Sequence, residues 1–294
     1  MTAVEAHDPS VIPADVIAGE LRRSINNSHD AKGSIHDDAT ATKLGFRGGT
    51  VAGSIHMELF PPLLIEAFGD RWFERGTLSM YFLNATTDRE AVRAYVTRPP
   101  ADARDAQVEV WVLREDGMRV AEGTASVGNP DAKSALLARP LDRFEPGELK
   151  ILHGVTTGTR FETVTVREPG ANVEERMAII TEPLDHYTKP TRWGAPVVPP
   201  APMVQLLYQK SVEAMRGKLA PAVGLFGAIE LRNINGPVQV DRDYLVSGEV
   251  IAVGQSPKTE YMWFESALDD TDGKRIAEMR MLLRFMKASS PVYQ

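Results

Sequence analysis

Residues 33–53 place a histidine a short distance ahead of a glycine-rich turn that opens an apolar helix. His36 is followed by two aspartates, and the turn runs from Gly48 to Gly53. Histidine is suited to proton transfer because its side chain exchanges protons near neutral pH. The first backbone N–H groups of a helix have no partner within it and carry partial positive charge, so they can stabilise an oxyanion. A base close to an oxyanion hole is the minimum that thioester chemistry requires.

The elements that must position this turn begin with the helix it opens. Apolar residues recur at helical spacing over 50–68, although Pro61 and Pro62 must kink or restart that helix. Strand-like runs follow, and Asp116 with Gly117 marks a hairpin turn between the last two of them. The predicted strands are 77–86, 90–97, 106–114 and 118–127.

The same plan returns in the second part of the chain. A helix is predicted at 201–217, and Asp272 with Gly273 marks a second hairpin turn. The predicted strands are 223–234, 243–253, 258–268 and 274–286. Aligning Gly194 with Gly45 superimposes the starts of the two helices and keeps the later strands in order. This indicates a duplication of about 150 residues, which is a usual domain size.

A helix wrapped by an antiparallel sheet, present twice, predicts an α+β fold of the double hotdog type. Each helix would bury its apolar stripe on one face of a sheet. The predicted units are an N-terminal hotdog at 1–135 that carries the site, a linker at 136–150 and a C-terminal hotdog at 151–294. Proline, glycine and charge without a sustained period over 128–150 place the linker there.

The composition of the chain argues against several classes of function. The 294 residues are 43% hydrophobic and 25% charged, and the lack of cysteine excludes disulfides, a thiolate nucleophile and cysteine-based metal sites. The net charge of -7 without Lys/Arg clusters argues against nucleic-acid binding. We expect a cytoplasmic protein outside the membrane, because neither a signal peptide nor a run of about 18 apolar residues is visible. The histidine spacings fit no metal motif, so no metal is expected.

These features resemble the MaoC-like, or (R)-specific enoyl-CoA hydratase, family of the hotdog superfamily. The matching positions are Ile35, His36, Asp38, Gly45-Phe46 and the helix start Val51-Ala52-Gly53. The family signature has asparagine and proline where this chain has Gly33 and Ser34, and an aspartate where it has Ala31. Asp30 lies one residue further from His36, so a one-residue loop insertion would bring its carboxylate to the site.

The resemblance implies reversible hydration of an enoyl thioester linked to CoA or to an acyl carrier protein, with no cofactor beyond the substrate's CoA. His36 and Asp30 would activate the water, while the thioester carbonyl rests on the N–H of Gly53 or Ser54. Further substrate contacts are expected from a cation at the pocket mouth, the turn and the helix. These substrate-binding residues are Arg47, Gly48, Gly49, Ser54 and His56.

The second half resembles a non-catalytic partner that forms a wall of the pocket. At the positions matching the histidine and its two aspartates it has Asp185, His186 and Tyr187. Three prolines at its helix start remove backbone donors, which argues against an oxyanion hole there.

Three alternatives stay open. A hotdog thioesterase would share the fold and CoA binding but attack the thioester carbonyl, and Glu58 is the acid on the central helix that would serve it. A non-catalytic acyl-binding or assembly subunit is favoured by the altered spacing before His36. The third is a lyase or isomerase that uses the histidine for another proton transfer. Exposed sheet edges make a homodimer reasonable, although one duplicated chain is also compatible with a monomer.

Overall fold

The computed structural model describes residues 12–141, 146–215 and 217–294. Residues 1–11 of the predicted N-terminal unit, 142–145 of the predicted linker and 216 of the second predicted helix lie outside the described residues. Within the described part, eleven strands form one antiparallel sheet.

The first half of the chain supplies six of these strands. They are β1 (Val16–Ala18), β2 (Arg22–Arg23), β3 (Gly76–Phe82), β4 (Ala91–Thr97), β5 (Ala106–Arg114) and β6 (Arg119–Val127). Its helices are α1 (Asp38–Lys43), α2 (Gly53–Met57), α3 (Pro61–Phe68) and α4 (Arg71–Arg75).

The second half supplies the other five strands. They are β7 (Arg160–Val166), β8 (Gly224–Asn233), β9 (Tyr244–Gln255), β10 (Thr259–Asp270) and β11 (Arg275–Met286). Its α-helices are α5 (Gly170–Arg176) and α6 (Pro200–Ala214), and short 3-10 helices lie at Asp185–Tyr187, Lys287–Ser289 and Pro291–Tyr293.

The eight strands predicted from alternation are confirmed as β3 to β6 and β8 to β11. Gly117 and Gly273 close the two predicted hairpins with φ of 83° and 82°, a left-handed conformation that glycine adopts without a Cβ clash. The same local signals therefore set matching hairpins in the two halves.

The first predicted helix is divided in two, as its prolines required. Pro61 is the first residue of α3, where a missing N–H costs little because first-turn N–H groups lack helical partners anyway. The second predicted helix is confirmed as α6, which is continuous over 15 residues. None of the helices in the described residues is long and apolar enough to cross a bilayer.

The two halves meet edge to edge in the middle of the sheet. The strand order is β1-β4-β5-β6-β3-β8-β11-β10-β9-β7, so β3 and β8 join the halves. Their pairing runs from Thr77 opposite Arg232 to Tyr81 opposite Ala228 and ends there. Side chains of α2, α3 and α6 share one buried apolar cluster with strands of both halves. The end of β3 and the start of β8 are therefore free to flank a cavity.

The beginning of the predicted linker packs on the sheet. Leu136 is fully buried in a second apolar cluster with Trp263 and Leu282, on the face opposite the helices. Its N–H donates to Ser79 Oγ at 3.0 Å. This segment thus covers the outer face near the joint between the halves.

Glu260 of β10 holds the end of the same connection against the strands of the second half. Its fully buried carboxylate accepts N–H groups of Lys150 at 2.8 Å, Ile151 at 3.0 Å and Leu152 at 2.8 Å. The hydroxyl of Tyr293 donates to the same carboxylate at 2.6 Å, which also holds the 3-10 helix Pro291–Tyr293 in place. Charge-assisted bonds of this kind are among the stronger ones in proteins.

We predict that Glu260→Gln lowers the free energy of unfolding by about 3 kcal/mol at pH 7, because an amide N–H₂ then faces backbone donors. Burial alone would raise the pKa of Glu260, but the Tyr293 hydroxyl and the backbone amides outweigh it and lower that pKa. The stabilisation is therefore present above the ordinary pKa of 4.5 and lost as the pH falls. Urea unfolding at pH 7 and pH 4 measures both effects. Glu249→Gln, which breaks an exposed pair, is the control, and an equal loss in both variants would contradict the prediction.

Candidate active site

A cavity of about 520 Å³ lies where β3 and β8 separate, and both halves of the chain line it. The first half contributes His36, the start of α2 and the ring of Phe82. The second half contributes Tyr208 of α6 and Phe226 of β8. Largely apolar walls with a few polar groups, at this volume, are typical of small-molecule sites.

A second depression of about 500 Å³ lies over β7 to β11 of the second half. Its charges are matched within the protein, with Arg160 paired to Glu249 and Arg280 paired to Glu265. These two arginines are therefore neutralised within the protein. The cavity at the joint, which contains a histidine and the start of a helix, is the better candidate.

His36 is held in one orientation at the cavity wall. Its Nδ1 lies 2.7 Å from the carbonyl oxygen of Thr50, and because a carbonyl only accepts, Nδ1 must carry the proton. Nε2 is then left as an acceptor. The backbone is fixed from both sides, since Asn26 Nδ2 donates to the His36 carbonyl at 2.8 Å and the His36 N–H donates to Ser34 Oγ. An imidazole with a fixed tautomer is a competent general base.

The glycine-rich turn lies directly against this histidine. A Cβ on Gly49 would come 2.2 Å from the His36 carbonyl oxygen, so only glycine fits. The Gly49 N–H donates to Asp38 Oδ1 at 2.6 Å, and the Thr50 N–H donates to the Ile35 carbonyl at 3.0 Å. Gly49 therefore shapes the turn that orients His36.

We predict that Gly49→Ala lowers the free energy of unfolding by about 1–3 kcal/mol through overpacking against the His36 backbone. Gly48→Ala is the matched control, since its Cβ would meet Asp38 Oδ1 at 3.1 Å, a contact that a shift of a few tenths of an ångström relieves, whereas the contact at Gly49 is with backbone. Thermal unfolding of the two variants measures the difference. Equal melting temperatures would contradict the close approach.

The aspartates that follow His36 have structural roles. Asp37 is the N-cap of α1 and accepts the Thr40 N–H at 3.2 Å. Hydrogen bonds from the Thr40 hydroxyl and from Lys32 lower the pKa of Asp37 to about 2. Asp38 accepts the Gly49 N–H and so stabilises the glycine-rich turn. These contacts fix the loop that carries the histidine.

The start of α2 presents backbone donors at the cavity. Gly53 lines the cavity, and no side chain caps the helix at Ala52. A Cβ on Gly53 would lie 2.6 Å from the ring of Phe82, so glycine permits this packing. Because α2 spans only five residues, its individual N–H groups matter more than any helix dipole.

His56 is a second histidine of the cavity, one turn along α2 from Gly53. Its Nε2 lies 2.7 Å from the hydroxyl of Thr86, and its buried Nδ1 has no partner among the described residues. Burial lowers the pKa of His56 to about 4, so the ring is neutral at neutral pH. A neutral imidazole can orient a ligand or a water without adding charge.

The structure does not bring every predicted residue to the cavity, and Asp30 is the clearest case. Its side chain is 90% exposed and lies 3.3 Å from the exposed His29, in a tight turn whose Lys32 N–H donates to the Asp30 carbonyl. The local turn therefore directs its carboxylate into solvent. Among the described residues that line the cavity, none is an aspartate or glutamate.

Four of the expected substrate-binding residues also lie outside the cavity lining. Arg47 is exposed and paired to Glu90, with Nη2 2.7 Å from Oε2. Gly48 and Gly49 form the turn behind the cavity, and Ser54 is buried. Of that set, only His56 lines the cavity.

Comparison with known proteins gives no match to a protein family and none to a curated protein. Solved structures do match over nearly the whole chain. A MaoC domain protein from Chloroflexus aurantiacus J-10-fl, described as a dehydratase, is 12% identical, with 92% of this chain and 94% of that one covered and a TM-score of 0.62. A conserved hypothetical protein from Mycobacterium tuberculosis, described as having a double hotdog fold, is 10% identical over 94% and 97% of the chains, with a TM-score of 0.63.

The chain has the double hotdog fold. A further similar structure is described as a MaoC-like dehydratase, at 12% identity, 92% and 98% coverage and a TM-score of 0.55. The fold predicted from the sequence is thus confirmed, while identities this low show the fold alone.

In this double hotdog, the second half supplies cavity residues that sequence reasoning missed. Gln205 and Tyr208 come from α6, and Arg284 comes from β11. Burial raises the pKa of Tyr208 to about 12. The one available signal was a charged residue inside the apolar run of β11, at Arg284. The 3-10 helix Asp185–Tyr187 is not part of the cavity lining.

Glu58, the acid considered for a thioesterase, lies away from the cavity of the double hotdog. It is fully buried and does not line the cavity, and Arg176 donates to its Oε1 at 2.8 and 2.6 Å. Burial raises the pKa of Glu58 to about 7. The pair joins α2 of the first half to α5 of the second, which is a structural position.

Proposed function

We propose that this protein catalyses the reversible hydration of an enoyl thioester to a 3-hydroxyacyl thioester. The observation that carries the proposal is His36, whose Nδ1 is fixed on the Thr50 carbonyl while the ring lines an apolar cavity that also contains the start of α2. The described cavity walls offer no carboxylate for other acid–base chemistry. Dehydratases among the structures that share the fold support the same reaction class.

In the proposed mechanism, the thioester carbonyl accepts the N–H of Gly53 at the start of α2. Nε2 of His36 takes a proton from water, and the hydroxide oxygen bonds to the β-carbon while charge moves to the thioester oxygen. The proton on Nε2 is then returned to the α-carbon, which restores the thioester carbonyl and the free base. One imidazole thus carries the proton both ways, so no cofactor is needed beyond the CoA or carrier of the substrate.

His56 and Thr86, which line the same cavity, would hold the water. His56 stays neutral and contacts Thr86, so this pair offers hydrogen bonds without a competing charge. It would replace the carboxylate that Asp30 does not supply. The direction of the reaction is set by the equilibrium and not by the site.

The exposed position of Asp30 favours a second candidate, a non-catalytic acyl-binding protein with the same cavity. The buried, paired state of Glu58 weighs against a thioesterase that depends on it. In either enzymatic case the substrate is an acyl-CoA or acyl-carrier-protein thioester. A homodimer that pairs through the sheet edges β1 and β7 is compatible with either activity.

The test follows the conjugated absorbance of crotonyl-CoA and longer trans-2-enoyl-CoA esters with purified protein, and identifies products by mass spectrometry. Formation of 3-hydroxyacyl-CoA that is lost in His36→Gln supports the proposal. Release of free CoA favours the thioesterase. Binding of the esters without turnover, measured by calorimetry, favours the acyl-binding protein and overturns hydration of these substrates.

A further inference from the structure

Arg284 is a cation of the cavity wall for which the described residues supply no counter-charge. It lies on β11, is partly buried and makes no hydrogen bond or ion pair with the described residues. By contrast, Arg280 on the same strand donates to Glu265 at 2.8 Å, and Arg47 at the loop is held by Glu90. A guanidinium carries five donors, and leaving them without partners in a partly buried site is costly.

The surroundings increase that cost. Burial, and secondly the nearby positive charge of Arg139, lower the pKa of Arg284. The Arg139 guanidinium lies 4.9 Å over the ring of Tyr81, beside the same stretch of sheet. Among the described cavity residues there is no acid to offset either cation. Within the part of the chain that the structure describes, this guanidinium thus lacks an anionic partner, which an oxyanion of a ligand would supply.

The fold makes room for this guanidinium. A Cβ on Gly227 would come 2.7 Å from Arg284 Nε, so the side chain lies across a glycine of β8. Leu283, the preceding residue, belongs to the core, so alternation turns Arg284 toward the opposite face of the sheet. The cavity therefore has His36 and α2 on the helix side and a cation toward the outer face.

We propose that Arg284 binds an oxyanion group of the ligand, a phosphate of the thioester carrier or a carboxylate of the acyl group, while the thioester lies at α2. The planar fork of arginine suits two-point contact with either group, and such pairs are strong when partly desolvated. This inference depends on the proposed thioester function only in the choice of the ligands that test it.

The experiment measures binding of saturated thioesters, which cannot be hydrated, to the wild type and to Arg284→Met. The three ligands are butyryl-CoA, which carries phosphates, glutaryl-pantetheine, which carries a carboxylate, and butyryl-pantetheine, which carries neither. We expect the variant to lose about 10-fold or more in affinity for one charged ligand, as the loss of a charge-assisted contact predicts. The neutral ligand should change by less than about twofold. Which charged ligand loses affinity identifies the source of the oxyanion.

Arg75→Met is the matched control, because it removes the same charge at an exposed position outside the cavity. Arg284→Lys should retain part of the affinity, since the charge stays but the fork is lost. Melting temperatures confirm that the variants are folded. Equal loss for all three ligands, no loss for any, or no binding of either charged ligand to the wild type would overturn the proposal. Because none of these ligands can be hydrated, failure of the hydration assay leaves this result independent.

Discussion

His36→Gln is expected to lower kcat/KM for enoyl thioester hydration by about 10²–10⁴-fold, the usual contribution of a general base. Glutamine keeps a polar side chain near the Thr50 carbonyl but has no atom that accepts a proton at neutral pH. The Gly53 N–H and the apolar walls are untouched, so KM should change far less than kcat. Steady-state kinetics with crotonyl-CoA, followed by loss of the conjugated absorbance, measure both constants.

Two neighbouring variants serve as controls for this prediction. Asp30→Asn and His29→Gln alter side chains that are 90% and 69% exposed in the turn before His36, so each should retain activity within about twofold. A large fall in kcat for Asp30→Asn would show that its carboxylate reaches the reacting atoms during turnover. That outcome would restore a histidine–aspartate pair and contradict a single-imidazole mechanism.

The fold was predictable where the sequence carries strong local signals. Alternation within long strands and the glycines of two hairpins identified β3 to β6 and β8 to β11, and two prolines identified the break before α3. Short edge strands were missed, because β1 and β2 have three and two residues and show no period. β7 was missed as well, and a register shift between Phe161 and Val164 interrupts its pairing with β9.

The candidate site was predictable only in its local part. One 21-residue stretch contains His36, Gly53 and His56. Within it, the loop, the turn and the helix follow one another directly, so local sequence signals place these residues together. The orientation of Asp30 depends on a tight turn that spacing alone does not reveal. Arg284 reaches the same cavity through the joint between the halves. Its place in the apolar run of β11 marks it as unusual but does not indicate which residues it contacts.

Arg176→Met is expected to lower the free energy of unfolding by about 3–5 kcal/mol above neutral pH, because it leaves a buried carboxylate without its counter-ion. Glu58 follows α2 of the first half and is fully buried, while Arg176 is the last residue of α5 in the second half. Nε and Nη2 of Arg176 both donate to Oε1 of Glu58. Chemical denaturation across a pH series measures the effect.

The pH dependence has a defined sign. Burial raises the pKa of Glu58 to about 7 despite the opposing effect of Arg176, so the folded protein holds this proton more tightly than the unfolded chain. Stability from this group therefore falls as the pH rises from 4.5 to about 7. Without Arg176 the pKa of Glu58 rises further, so the free energy of unfolding continues to fall up to a higher pH. The cost of the variant should be small near pH 5 and largest above pH 8.

Asp185→Asn is the control, because it breaks an exposed pair with Lys189 and should cost less than about 1 kcal/mol at any pH. A cost of that size for Arg176→Met, without pH dependence, would contradict a buried pair between the halves. Glu58→Gln adds the functional side of the argument, since folded protein of this variant should hydrate enoyl thioesters at the wild-type kcat. A thioesterase that used Glu58 as its acid would instead lose CoA release, so one variant separates an acid that joins the two halves from one that performs chemistry.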